Sequence, residues 1–188
     1  MSSDILSKPV DVSKYGIIFA GAQKNMAPAG LTVVIIREDL AGNALPYTPI
    51  MLDYAAMIKG DSMHNTPPTY NIYILGLVLD WLEKQGGVEG MEKIKGAKAK
   101  ILYDVLDSSK FYIPHAEKGS RSDMNVTFRT ASEELDAEFV KEATALGLAN
   151  VKGHRSVGGI RASIYNAMPT EGVEKLAAFM RDFEARHI

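Results

Sequence analysis

The chain has 188 residues, 46% of them hydrophobic and 23% charged, the ordinary balance of a globular protein. A formal net charge of -2 excludes a global electrostatic bias toward nucleic acid or anionic membrane. With no cysteine in the chain, disulfides, thiolate metal sites and cysteine nucleophiles are excluded as well.

In chain order, Met1-Ser2-Ser3-Asp4 is polar and does not read as the start of a signal peptide. Gly16 to Ala20 reads as a short buried strand, and Leu31 to Ile36 as a second one rich in β-branched residues. Continuous apolar runs of this kind predict a sheet covered on both faces, as in α/β folds. Between them, Gly21 to Gly30 is a turn-like stretch of small residues. Residues 41–69 are irregular, with Pro46, Pro49, Pro67 and Pro68 marking loops. Tyr70 to Lys84 is apolar nearly all round and predicts a buried helix. Gly86-Gly87 ends it and marks a domain boundary, giving domains 1–87 and 88–188.

Val88 to Leu106 predicts an amphipathic helix with Met91, Ile94, Ile101, Leu102 and Val105 on its apolar face. Lys93, Lys95, Lys98 and Lys100 sit at helical spacings and predict one solvated face. Phe111 to Ile113 reads as a short strand, and Met124 to Arg129 alternates with Met124, Val126 and Phe128 on one side. Ser132 is placed to cap a helix running to Leu146 and closed by Gly147. Gly159 to Tyr165 alternates again, setting Ile160, Ala162 and Ile164 opposite Arg161 and Ser163. Thr170 is placed to cap a last helix through Val173, Leu176, Ala177, Met180 and Phe183. The second half is therefore an α+β layer, with sheet on one side and helices on the other. No apolar run is long enough to span a bilayer, and a cytoplasmic location is the expectation.

Lys24 is the first candidate for chemistry. It follows directly on a buried strand and is surrounded by small residues, a setting that predicts a tight, dry environment. Burial disfavours the ammonium form, and a neutral amine can attack an aldehyde to form an imine. Spacing alone supplies no aldehyde. It also leaves the other candidates with ordinary readings: Arg161 as a solvated strand residue, His154-Arg155 as a basic loop, and Asn65-Thr66 as turn chemistry before two prolines.

Three ordered segments change this. Tyr15-Gly16-Ile17-Ile18-Phe19-Ala20-Gly21-Ala22-Gln23-Lys24-Asn25 resembles the Schiff-base segment of phosphoserine aminotransferases, class V enzymes of fold type I that use pyridoxal phosphate. Met63-His64-Asn65-Thr66-Pro67-Pro68-Thr69 is similar to that family's loop that reaches a neighbouring subunit's cofactor phosphate. Gly153-His154-Arg155, followed by Gly158 to Ala167, resembles its C-terminal substrate-binding segment. The resemblance runs the length of the chain and corresponds to the C-terminal half of a family member.

The resemblance implies an α/β fold: the C-terminal part of the fold-type I large domain over 1–87, then a small α+β domain over 88–188. It implies that Lys24 forms the Schiff base with pyridoxal 5'-phosphate and afterwards shuttles the proton between substrate Cα and cofactor C4′. Gln23 would hydrogen-bond the cofactor phosphate. Asn65 and Thr66 would bind the phosphate of the cofactor held in the partner subunit of a homodimer. Arg161 would clamp the substrate α-carboxylate, and His154 and Arg155 would take the phosphate or side-chain carboxylate. The implied reaction converts O-phospho-L-serine and 2-oxoglutarate to 3-phosphooxypyruvate and L-glutamate, in serine biosynthesis and, in some bacteria, pyridoxine biosynthesis. The family's aspartate partner of the pyridinium nitrogen would fall just before Met1. The chain alone is therefore expected to show little transamination, with the N-terminal half either lost or supplied as a separate chain.

Overall fold

Alternation of side-chain direction along a strand decides which residues of the first hairpin face inward. The computed structural model describes residues 2–188, so Met1, part of the polar N-terminus read above, lies outside the described residues. Two compact units divide the chain, residues 1–89 and 90–188.

In the first unit, β1 (Ile17–Gly21) pairs antiparallel with β2 (Thr32–Ile36), with Phe19 opposite Val34. Ile18 and Ala20 are buried, whereas Ile17, Phe19, Val34 and Ile35 are exposed, Phe19 by 63%. The expectation of a sheet covered on both faces is thus corrected: within this chain one face of a two-stranded hairpin is covered. Behind it Ala20, Ala22 and Met26 form a small core against Ile5, Leu6, Leu31, Val33 and Leu75.

Two helices complete this unit. The short α1 (Tyr54–Lys59) is capped by Asp53, whose carboxylate accepts from Ala55 N at 2.9 Å. The longer α2 (Thr69–Lys84) ends where Gly86 takes φ +92° and Gly87 φ +69°. The helix predicted to be buried all round buries only Leu82, and Tyr70, Ile72, Tyr73, Leu77 and Leu79 are exposed. Its apolar surface is larger than the small core of this unit can cover.

The second unit has a fuller core. It begins within the first turn of α3 (Gly87–Ser108) and adds β3 (Ile113–Pro114), β4 (Asn125–Arg129), α4 (Glu133–Ala145), β5 (Ile160–Ser163) and α5 (Thr170–His187). The strands form an antiparallel sheet in the order β3-β4-β5, with Thr127 opposite Arg161. Val126, Phe128, Ile160, Ala162 and Ile164 face the helices and share one cluster with Leu102, Phe139, Val173, Met180 and Phe183. Phe139 lies at its centre, with ring centroids 5.8 Å from Phe128 and 5.2 Å from Phe183, both near perpendicular. Each such buried ring contributes about 1.5–3 kcal/mol through the area it removes from water.

Ser132 caps α4 as predicted, accepting from Leu135 N at 3.3 Å. Thr170 does not cap α5, because it is already the first helical residue, preceded by Pro169. The lysine face of α3 is also corrected. Lys95 and Lys98 are buried, because positions 91, 95, 98, 102 and 105 form one helical stripe and that stripe faces the core. Lys95 reaches out to Asp123 at 2.7 Å. Lys98, 1% exposed, donates to the carbonyls of Tyr165 at 2.8 Å, Asn166 at 3.2 Å and Met168 at 2.9 Å.

Candidate active site

The Lys24 segment is one helical turn placed at the end of β1. Met26 N and Ala27 N donate to Ala22 O at 3.1 and 2.9 Å, and Ala22 N donates to Leu31 O at 2.8 Å. Helical periodicity then turns Ala22, Asn25 and Met26 inward and Gln23 and Lys24 outward. Asn25 is buried and its Nδ2 donates to Ser3 O at 2.8 Å and Ile5 O at 3.1 Å, fixing the turn to the N-terminal segment. On the other flank Asn71, in the first turn of α2, donates from Nδ2 to Ala29 O at 2.7 Å and Pro28 O at 3.2 Å. The dry setting predicted for Lys24 is corrected: Lys24 and Gln23 are both exposed, and it is Asn25 that enters the interior. A rigid turn thus presents an amine and an amide side by side to the outside. Such a donor set fits an aldehyde bearing a phosphate, and exposure leaves the amine reachable.

Asn65 and Thr66 lie in the exposed segment before α2. Asn65 Nδ2 makes a local contact of 3.5 Å with Thr66 O, at the outer limit of a hydrogen bond, so both side chains retain donors for another group. Gly60 allows this segment to double back, since a Cβ there would lie 2.9 Å from His64 N.

In the second unit the face of β4 and β5 that points away from the core carries Asn125, Thr127, Arg129, Arg161 and Ser163, all half-buried. Arg161 is anchored by its backbone, N donating to Val151 O at 2.8 Å. Its Nε is buried and has no hydrogen-bond partner among the described residues. A desolvated, unpaired guanidinium donor is costly unless an acceptor meets it, which suits a carboxylate approaching the fork. Beside it Asn125 Oδ1 accepts from Tyr165 Oη at 3.1 Å and Ser163 Oγ at 3.3 Å.

His154 and Arg155 stand exposed on a loop closed at its base, where Gly153 N donates to Gly159 O at 2.8 Å. Ser156 N donates to His154 Nδ1 at 3.3 Å, so the neutral imidazole keeps its proton on Nε2. His154 and Arg161, together with His115, Thr127 and Arg129, line one cleft of about 90 Å³. Arg155 projects from the same loop outside that lining. Asn71 and Arg129 were not singled out from the sequence. Nothing in their local pattern marks them, because each acts on a segment distant in the chain.

Burial pushes Lys98 below its ordinary value, while its three carbonyl acceptors favour the charged form. Asp107 is held down at about 2, first by its hydrogen bond from Arg121, whose guanidinium also lies 4.4 Å from the ring centre of Tyr103.

Comparison with known proteins gives a family and a fold. The family Aminotransferase class-V matches residues 1–176. The phosphoserine aminotransferase of Laribacter hongkongensis (strain HLHK9) is 58% identical over 188 residues, covering 100% of this chain and 52% of that protein. The solved phosphoserine aminotransferase from Bacillus circulans subsp. alkalophilus superposes with a TM-score of 0.98 at 50% identity, over 100% of this chain and 52% of its own. The PLP-bound phosphoserine aminotransferase from Trichomonas vaginalis superposes with a TM-score of 0.91 at 41% identity, over 96% of this chain and 52% of its own. The chain spans about half the length of the curated relatives it matches. Among the described residues no helix is long and apolar enough to cross a membrane.

Proposed function

The chain belongs to the class-V aminotransferases and has their fold-type I α/β architecture, and we propose that it carries the C-terminal half of a phosphoserine:2-oxoglutarate aminotransferase. Residues 1–87 contribute to the large, cofactor-binding domain and residues 88–188 form the small domain. The enzyme works in serine biosynthesis, with a cytoplasmic location and a homodimeric assembly in which residues outside this chain complete each site.

Pyridoxal 5'-phosphate, when bound, supplies the electron sink for a carbanion at the substrate Cα. The chain's own residues do the rest. Lys24 is the amine that holds the cofactor and later carries the proton to and from substrate Cα. Gln23 donates to the cofactor phosphate. Asn65 and Thr66 donate to the phosphate of the cofactor in the partner subunit. Arg161, half-buried on β5, offers its guanidinium fork to the α-carboxylate. His154, through Nε2–H, and Arg155 take the phosphate or distal carboxylate.

The observation that carries this reading is the cleft shared by Arg161 and His154. A substrate anionic at both ends needs donors for each end on one surface. The test is reductive trapping: the chain is incubated with pyridoxal phosphate, reduced with borohydride and mapped by peptide mass. A single phosphopyridoxyl adduct on Lys24 is expected, and labelling spread over many lysines would overturn the assignment. In the assembled enzyme, amino donors ranked phosphoserine over serine and alanine are expected. An equal preference would point instead to another fold-type I aminotransferase.

A further inference from the structure

Loop 153–159 is closed by backbone contacts that leave no room for side chains. A Cβ on Gly153 would lie 1.9 Å from Gly158 O, and one on Gly159 would lie 2.7 Å from Phe128 O and 2.8 Å from Arg129 Cγ. Gly158 and Gly159 take φ of +74° and +69°, a conformation that L side chains rarely adopt. Inside the loop, Gly158 N and Val157 N donate to His154 O at 2.8 and 2.9 Å. Gly159 therefore lies flat on the aliphatic stem of Arg129, at the end of β4, and Gly158 lies beside its guanidinium. The Arg129 guanidinium continues past them and donates from Nη2 to Val157 O.

Arg129 itself stands on a fixed base. The next residue, Thr130, is buried, and both its N and its Oγ1 donate to Asp136 Oδ1, at 2.7 and 2.8 Å. Asp136 lies on α4 and is also buried. The end of β4 is thereby tied to that helix. The chain of support runs from α4 through Thr130 to Arg129, then through Val157 O to the loop that carries His154 and Arg155. Closure without Arg129 would rest on three backbone bonds in a solvent-exposed loop, a weak determinant of position.

We propose that Arg129 is a positioning residue for the anion-binding loop: its guanidinium holds the Val157 carbonyl so that His154 and Arg155 are presented as a fixed pair. This inference rests on the reading of those two residues as the phosphate-binding end of the site. The role assigned to Arg129 is exerted through the loop, by its bond to the Val157 carbonyl. Its task is to spare the loop the ordering that binding would otherwise require.

Three variants of the full 188-residue chain, with inorganic phosphate as the probe, test it. Arg129→Met keeps the stem that Gly159 packs on and removes the donors. Arg129→Lys restores one charged donor, and Arg155→Ala removes the ligand-side group. Amide exchange at Gly153, Val157 and Gly158 reads loop closure, and a phosphate titration of the loop amides reads binding. In Arg129→Met, exchange at those three amides is expected to quicken about tenfold and the phosphate Kd to rise about tenfold, the scale of one charged hydrogen bond. Arg129→Lys is expected to recover part of both, and thermal unfolding of the core to stay unchanged. Wild-type exchange in Arg129→Met overturns the proposal. So does quickened exchange with undiminished phosphate affinity, provided Arg155→Ala weakens binding. If Arg155→Ala binds phosphate like the wild type, the reading of the loop as a phosphate site fails, while the exchange data still decide whether Arg129 holds it.

Discussion

Replacing Lys98 by methionine keeps a long, unbranched side chain in the core of the second unit and removes only the ammonium. Three main-chain carbonyls, those of Tyr165, Asn166 and Met168, then lose their shared donor at the turn between β5 and α5. Hydrogen bonds from a charged donor contribute roughly 1.5–3 kcal/mol each, and part of that sum is returned because a buried charge no longer needs solvating. A net loss of about 3 kcal/mol is expected. For a unit of about 100 residues that corresponds to a fall in Tm of roughly 12–24 °C. Thermal and urea melts followed by far-UV circular dichroism measure it, with Lys93→Met on the exposed side of the same helix as a control expected within about 0.5 kcal/mol of wild type. The pH dependence has a defined sign. Burial holds the folded-state value of Lys98 below its ordinary 10.5, so between the two values the unfolded chain binds more proton. Stability from this site is therefore lowest below the folded value and rises as pH climbs toward 10.5, and the slope vanishes in the methionine variant. A loss under about 1 kcal/mol, equal to the Lys93 control, would refute the role given to the three carbonyl bonds.

Two further outcomes follow from described geometry. Gly153→Ala places a methyl group where Gly158 O now sits, so loop 153–159 is expected to open; the cross-loop amide of Gly153 should lose its exchange protection while the Phe139 core melts within about 1 kcal/mol of wild type. Asp107 is depressed to about 2 by Arg121 against an ordinary 3.8, so its contribution is complete above pH 3.8 and disappears as pH falls through 2. Urea melts of wild type and Asp107→Asn are accordingly expected to differ at pH 6 and to converge near pH 2, and a difference that persists at pH 2 would contradict this.

The elements of the second unit were legible because each had a local physical signature. Val126 and Phe128 alternate with polar neighbours, Ile160 and Ala162 do the same, and Ser132 stands three residues before the amide it caps. Lys95 and Lys98 place charge on core positions, so their charge alone points to the wrong face. They fall on the stripe of Met91, Leu102 and Val105, and that spacing was available in the sequence. The exposed faces of β1, β2 and α2 could not be foreseen, since an apolar run records that a surface is to be covered and not which segment covers it. At the site, the glycine pair of the loop is visible in the sequence, but the partner that needs it is not. Arg129 meets Gly158 and Gly159 through the register Phe128↔Ile160, which only the folded sheet specifies.

The carbonyl cradle of Lys98 has a consequence for reagents. Low basicity is the usual mark of a nucleophilic lysine, and burial lowers the basicity of Lys98. Yet all three of its protons are engaged and its Nζ is enclosed, so acetylating and carbamylating agents have no path to it while the chain stays folded. In a mass-spectrometric survey of amine labelling, exposed Lys24 would register early and Lys98 only on unfolding, making Lys98 an internal clock for the opening of the second unit.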